Sequence, residues 1–149
     1  MGVNTAAGSE LAISAAQPAT DDAAGYAALT YTNVAYVSNL GDIGASYNMV
    51  EFQPLKGPKL KLKGSRDEGT LNPTIALDGE DAGQALLQTA SDDSTNTYYS
   101  IKITLSDGAV RYFQGTVFGM PESIGTADDV ITASPTIEAN TAIVRVAAA

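Results

Sequence analysis

The sequence contains no cysteine, no histidine and no tryptophan. Without cysteine and histidine, the chain cannot form a disulfide, a thiol nucleophile, a Ser-His pair or a metal site built on those ligands. These absences exclude a large part of enzyme chemistry. We therefore predict no catalytic, cofactor-binding or metal-binding residues, no cofactor and no enzymatic activity.

Long hydrophobic runs are absent as well. No segment approaches the roughly 18–20 consecutive apolar residues of a membrane-spanning helix, and the N-terminus lacks the basic and apolar regions of a secretory signal. We expect no membrane anchor, and we expect the chain to fold in the cytoplasm in which it is made.

Positive charge is scarce. The chain has 8 Lys and Arg against 17 Asp and Glu, which gives a net charge of −9 at pH 7. This excess of acid disfavours nonspecific binding to nucleic acid or to anionic membranes over most of the surface. With 149 residues, of which 44% are hydrophobic, the chain is predicted to form a single globular domain over residues 1–149.

The few basic residues are clustered between positions 56 and 66. Five of the eight lie there, namely Lys56, Lys59, Lys61, Lys63 and Arg66. Leu60 and Leu62 alternate with three of these lysines, as in a strand with one apolar face and one solvated face. Turn-forming residues flank this run, so we predict a long basic arm, a hairpin or extended loop, at about residues 53–69. The arm is either a solvated edge strand protected by lysines or a docking arm whose five cations contact acids of an adjacent copy.

The rest of the chain is mainly β. Runs of β-branched and aromatic residues predict strands at 10–14, 29–40, 47–53, 70–77 and 130–138. Residues 99–105 and 109–119 are predicted to form a hairpin joined by a two-residue Asp107-Gly108 turn. One flanking α-helix is predicted at about 78–91, with Asp78 as its N-cap. The predicted fold is an antiparallel β-sandwich or small barrel with this helix packed against it. The terminal segments 1–28 and 139–149 are predicted to be extended and to contact neighbouring subunits.

Three acidic or basic motifs resemble functional sites, and each also has a structural interpretation. Residues 78–83 resemble a calcium loop only superficially, since Ala82 and Thr89 occupy ligand positions, and helix capping is the preferred interpretation. The acid pairs Asp92-Asp93 and Asp128-Asp129 are interpreted as solvated turns. The basic arm lacks the glycine-rich loop of a phosphate site, which makes nucleic-acid binding the weaker interpretation.

The order of the short motifs resembles that of the tail tube (major tail) proteins of long, non-contractile-tailed bacteriophages, in their single-domain form. The resemblance covers about residues 8–138. The motifs that carry it are residues 8–11 (GSEL), 39–41 (NLG), 61–64 (KLKG), 70–71 (TL), 76–78 (ALD), 83–85 (GQA), 106–108 (SDG), 127–130 (ADDV) and 137–138 (IE).

The resemblance implies a structural virion protein. Proteins of this family form hexameric rings that stack into the tube through which phage DNA leaves, and they are assembled in the bacterial host cytoplasm. It implies contacts with further copies of the chain and with the tail tip or initiator, the tape measure and the tail terminator proteins. DNA is expected only to pass through the tube, without specific binding. Two alternatives stay open: the tube protein of a contractile injection system, and a virion decoration or carbohydrate-binding β module.

Overall fold

A computed structural model describes residues 3–148, which form two helices and thirteen strands. Every strand pairing is antiparallel, so the predicted fold class is confirmed. The helices are α1 Ala23–Ala27 and α2 Ala82–Asp92. The strands are β1 Glu10–Ser14, β2 Thr32–Val34, β3 Val37–Asn39, β4 Ser46–Phe52, β5 Leu60–Asp67, β6 Thr70–Leu71, β7 Thr74–Ala76, β8 Tyr99–Thr104, β9 Val110–Gly119, β10 Glu122–Ser123, β11 Thr132–Ala133, β12 Thr136–Ala139 and β13 Val144–Val146.

The strands form three sheets. The largest has the order β2-β1-β8-β9-β12-β6, with β13 also paired to β9, and the second has the order β10-β11-β7-β3. The third contains only β4 and β5. Alternating residues such as Leu11, Ile13, Ile101 and Ile103 enter the core, where Leu87 of α2 packs against them. No helix within residues 3–148 is long and apolar enough to cross a membrane.

Three predicted strands are each divided in two. The run 29–40 becomes β2 and β3 because Tyr36 adopts a left-handed backbone with φ 60°, which interrupts an extended strand. The run 70–77 breaks at Asn72-Pro73, and the run 130–138 breaks at Ser134-Pro135. In the latter two cases the chain passes from one sheet to another at a proline, which lacks the N–H that a continuous ladder needs.

The helix prediction was wrong in two details. The N-cap of α2 is Asp81, whose Oδ2 accepts a hydrogen bond from the Gln84 N–H at 3.0 Å, whereas Asp78 lies in the preceding turn and accepts from the Glu80 N–H. A second, short helix, α1, also forms within segment 1–28, which was predicted to be extended. Its N-cap is Asp22, whose carboxylate accepts from the Gly25 N–H at 2.8 Å.

The predicted hairpin of β8 and β9 is confirmed, but its turn is longer than predicted. Leu105 and Ala109 close the ladder, since the Leu105 N–H donates to the Ala109 carbonyl at 2.7 Å. Three residues therefore form the loop, and the last of them, Gly108, has φ +97°. This is the three-residue hairpin loop in which a left-handed glycine ends the turn.

Both terminal segments contribute strands to the large sheet. Strand β1 lies between β2 and β8, and β13 pairs with β9. Met1, Gly2 and Ala149, which belong to the predicted contact segments 1–28 and 139–149, lie outside the described residues. Contact of these segments with neighbouring subunits stays a prediction.

Candidate assembly surface

The predicted basic arm is a hairpin of β4 and β5, residues 46–67, which begins earlier than the predicted boundary at 53. Its two strands pair with each other and belong to neither of the larger sheets. Every residue of β4 is exposed. The register shifts between Tyr47 and Met49, and at this point the backbone of Gly64 approaches Asn48 so closely that a Cβ would lie 3.0 Å from the Asn48 carbonyl oxygen. Glycine therefore permits the bulge that bends the arm.

One face of the basic arm is apolar and uncovered. Val50 lies opposite Leu62 in the ladder, and Phe52 lies opposite Leu60. All four side chains are about half exposed, from 49% for Leu60 to 59% for Phe52. Leu55, in the loop that joins the strands, is fully exposed. The apolar alternation was predicted from the sequence, and residues 3–148 provide no element that covers this face.

The five cations that the sequence singled out lie along β5 and in the loop before it. Lys59 Nζ lies 3.5 Å from Glu51 Oε2, across the hairpin. Arg66 Nε lies 2.7 Å from Glu68 Oε1, and its Nη1 donates to the Tyr47 hydroxyl at 3.2 Å. These hydrogen bonds, first to Tyr47 and then to Glu68, raise the pKa of Arg66 above its ordinary value. Two of the five predicted contact residues thus already have an acidic partner within their own chain.

The remaining lysines are less satisfied. Lys63 Nζ lies 4.8 Å from the centroid of the Tyr47 ring, within the range of a cation–π interaction. Lys56 and Lys61 form no salt bridge with any acid in residues 3–148. Since neither ammonium group is paired with an acid of its own chain, both can contact an acidic surface on another molecule.

The acidic motifs have local structural roles. The N–H and hydroxyl of Thr126 donate to Asp129 Oδ2, and these hydrogen bonds lower the pKa of the Asp129 carboxyl below its ordinary value. The hydroxyl and N–H of Thr95 lower the pKa of Asp93 in the same way. Within residues 3–148, no group of three carboxylates is placed to hold a metal ion.

A groove lies beside the base of the basic arm. It has a volume of about 450 Å³ and is lined by Leu40, Ile43, Leu71, Ile103 and Leu105, with Arg111 and Asp107 at its polar side. Its lining includes no aromatic side chain. The groove therefore has the character of a packing surface.

Comparison with solved structures places the fold among proteins of contractile injection systems. A chain in the cryo-EM structure of the anti-feeding prophage (AFP) baseplate, 6-fold symmetrised, superposes with a TM-score of 0.70 at 6% identity, covering 94% of this chain and 93% of that one. A chain of the PVC extracellular contractile injection system sheath/tube terminator in the extended state gives 0.64 at 13% identity, covering 93% of each chain.

A chain of the PVC sheath-tube complex in the extended state gives a TM-score of 0.59 at 15% identity, covering 93% of this chain and 88% of that one. No protein-family model matches the sequence, and a search of curated proteins gives no match. The similarity therefore concerns the fold, which this chain shares over nearly its whole length with proteins of phage-tail-like assemblies.

Proposed function

We propose that the chain is a structural subunit of a phage-tail-like tube, in which copies form rings that stack along one axis. The observation that carries this proposal is the shared fold with chains of a baseplate and of a sheath-tube complex, over more than nine-tenths of this chain. The motif order of the sequence, which resembles that of tail tube proteins, supports it independently. The chain acts in this role without catalysis, a cofactor or a membrane anchor.

The exposed features of the chain suit ring formation. The edge strands of the large sheet are the short strands β2 and β6, and those of the four-stranded sheet are β3 and β10. A sheet edge leaves backbone groups unpaired, and pairing edges around a closed ring satisfies them. We propose six copies per ring, as the family resemblance implies. The 6-fold symmetrised AFP baseplate contains a chain of this fold.

Stacked rings need a contact that repeats along the axis, and the basic arm is suited to supply it. Lys56, Lys59, Lys61, Lys63 and Arg66 would contact acids on an adjacent subunit, mostly in the next ring. Each exposed pair contributes only roughly 0.2–1 kcal/mol, but a closed ring repeats every pair around its circumference. The free Lys56 and Lys61 are the members best placed to form new pairs.

The partners proposed for the assembled tube are those that the family resemblance implies. They are the tail tip or initiator, the tape measure protein and the terminator, and the tube lies in the particle after assembly in the bacterial cytoplasm. Electron microscopy of the concentrated protein with an initiator complex tests the proposal, and we expect open tubes of constant diameter. Only monomers under these conditions would contradict it.

A contractile injection system is the second candidate for the assembly to which the subunit belongs. The structures of similar fold that are described above are of the AFP baseplate and of PVC sheath and tube assemblies. A tube in such a system must bind a sheath on its outer surface. Co-sedimentation of assembled tubes with the sheath protein of a contractile injection system distinguishes the two, because a non-contractile tail has no sheath to bind.

The third interpretation, a decoration or carbohydrate-binding module, predicts a closed oligomer and a ligand groove. The 450 Å³ groove has no aromatic side chain on which a sugar ring could stack. Analytical ultracentrifugation tests this alternative, since a concentration-independent monomer or small oligomer would favour it over open-ended assembly.

A further inference from the structure

A second exposed apolar surface lies at one end of the four-stranded sheet. Each of its four strands has an exposed apolar residue at this end, and in the order of the strands these are Tyr36, Leu77, Ile131 and Ile124. The Leu77 N–H donates to the Ile131 carbonyl, and the Ala76 N–H donates to the Tyr36 carbonyl. Their exposed fractions range from 38% for Leu77 to 65% for Tyr36. The neighbouring Val130 is 70% exposed. We call this row, with Val130, the distal surface.

The chain segments that form the distal surface are acidic. The segments 34–39, 77–81 and 120–131 that form and flank it contain no lysine and no arginine. They contain six carboxylates, namely Asp78, Glu80, Asp81, Glu122, Asp128 and Asp129. The basic arm has the opposite composition, with an exposed apolar face beside a row of cations. The two surfaces are therefore complementary both in charge and in apolar character.

A shallow depression beside the row provides a shape for the arm to enter. Its volume is about 280 Å³, with Leu77 and Met120 among its apolar lining and Asp78 and Glu122 among its acids. The loop of the basic arm presents the reverse arrangement, a fully exposed Leu55 next to Lys56. A leucine in the depression would place the adjacent ammonium group near these two carboxylates.

The two surfaces lie at opposite ends of one ribbon within the domain. The chain from Gly69 to Leu77 runs antiparallel to the chain from 131 to 139, through the β6–β12 and β7–β11 pairings. The Ala139 N–H donates to Gly69 at the end where the arm leaves the domain, and the Leu77 N–H donates to Ile131 at the other end. The arm therefore leaves the domain at the end opposite its own distal surface, and a second copy can present that surface to it.

We infer that the basic arm of one copy docks on the distal surface of a second copy, with Leu55 in the depression and the arm's apolar face against the row from Tyr36 to Ile124. The contact joins two different surfaces, so each copy offers one free arm and one free distal surface. Such a heterologous contact does not close on itself, and it propagates along an axis. The inference rests on the proposed function, because it identifies the surfaces through which successive rings would stack.

Cysteine pairs test this contact cleanly because the chain has no cysteine of its own. Leu55 is fully exposed at the arm's loop, and a Cβ at Gly79, beside the depression, would meet no atom within 4 Å. Both sites therefore tolerate cysteine. Under mild oxidation, the double variant Leu55→Cys with Gly79→Cys should give a ladder of disulfide-linked multimers on a denaturing gel, whereas each single variant should stop at dimers.

The matched control moves the second cysteine to the other end of the domain. Ala7 is exposed and lies near the β8–β9 turn, next to Gly8, whose added Cβ would be 4.0 Å from Ser106. Leu55→Cys with Ala7→Cys should give at least about tenfold less multimer than the Gly79 pair. Adding Glu122→Lys and Asp128→Lys to the Gly79 pair should lower the multimer yield about tenfold, because two attractive charge contacts become repulsive.

The outcomes separate this inference from the proposed function. Equal ladders from the Ala7 and Gly79 pairs, or a ladder from the Ala7 pair alone, would overturn docking on the distal surface. The absence of both ladders, with tubes of the unmodified protein visible by electron microscopy, would overturn the docking surface and leave the tube function standing. The absence of both ladders and of any assembly would overturn both. Thermal denaturation of each variant verifies that it is folded.

Discussion

The side-chain amide of Gln84 donates a hydrogen bond of 2.8 Å to the carbonyl oxygen of Ala76. The same nitrogen donates to the Ala35 carbonyl at 3.0 Å, and the side-chain oxygen accepts from the Asp78 N–H at 2.8 Å. Gln84 is buried in the first turn of α2. One side chain thus connects the helix to both chain segments beside it and to the distal end of the domain.

Replacing this side chain with an apolar one should destabilise the fold strongly. Gln84→Leu keeps the volume but leaves the Ala35 and Ala76 carbonyls and the Asp78 N–H without partners, so we expect a loss of about 3 kcal/mol. For a chain of this size, that corresponds to a melting temperature lower by roughly 6–12 °C. Gln88→Leu is the control, because Gln88 bonds only to Asp92 near the surface, and circular dichroism should show little change. Equal melting temperatures would contradict the assigned role.

Removing the hydroxyl group of Tyr31 should increase the stability of the fold. Its hydroxyl oxygen is the one buried side-chain polar atom in residues 3–148 that has no hydrogen-bond partner. We expect Tyr31→Phe to raise the free energy of unfolding by up to about 1 kcal/mol at pH 7, since an unpaired buried hydroxyl is unfavourable. Tyr26→Phe is the matched control, because its hydroxyl pairs with Thr141 Oγ1 at 3.3 Å. That variant should lose stability in chemical denaturation.

The same substitution should change the response to alkaline pH. Burial raises the pKa of the Tyr31 phenol well above its usual value, with smaller contributions from Tyr112 and Tyr26. The folded chain therefore holds this proton more tightly than the unfolded chain does. The resulting stability is complete below the unfolded pKa of about 10 and is lost as the pH rises toward the folded pKa. Denaturation midpoints measured from pH 9 to 11 should fall less steeply for Tyr31→Phe than for the unmodified protein.

The lysines of the basic arm should control assembly without affecting the fold. Lys61→Gln with Lys63→Gln removes two exposed charges and takes the net charge from −9 to −11. Ser94→Asp with Asn96→Asp gives the same net charge of −11 at exposed positions in the turn after α2, away from the arm. We expect the arm variant to assemble less and the Ser94 and Asn96 variant to assemble normally, as measured by light scattering. Equal scattering from both would reduce the lysines to a solvated edge.

Assembled tubes should not retain DNA. If the lysines of the arm are used in contacts between subunits, most of the remaining surface charge is acidic, and it would repel the phosphate backbone over about 10 Å near 0.1 M salt. We expect negligible affinity of tubes for duplex DNA at physiological salt, and weak, salt-sensitive binding by free subunits through the exposed arm. Fluorescence anisotropy with a labelled duplex measures both. Salt-dependent retention of DNA by tubes would contradict this prediction.

Features set by local chemistry were predictable from sequence. Strand β1 and the β8–β9 hairpin follow from alternation and a turn glycine, and the basic arm follows from alternating leucines and lysines. The prolines Pro73 and Pro135 interrupt apolar runs whose residues still share a core. The sequence pattern therefore predicted one strand where the structure has two strands in different sheets. The left-handed backbone of Tyr36 could not be predicted from the sequence, because tyrosine has no preference for that conformation.

The candidate site divides in the same way. All five predicted cations lie on one hairpin, as charge clustering indicated. The partners of Lys59 and Arg66 were not predicted, since Glu51 is brought opposite Lys59 only by the register of the hairpin. The distal surface was missed altogether. Its residues come from three separated segments, each unremarkable alone, and no sequence pattern records which apolar residues the fold leaves uncovered.

The basic arm pairs with neither of the larger sheets, and this should shorten the lifetime of the unassembled subunit. A lone two-stranded hairpin is at best marginally stable in water, so its strands should separate often and expose their backbone to proteases. Trypsin cuts after lysine and arginine, and five of the eight such residues are on the arm. Free subunits should therefore be nicked there first, and docked arms should resist. A subunit that remains unassembled would lose the arm through which it contacts its neighbour. Proteolysis would therefore remove unassembled subunits from the pool that can assemble.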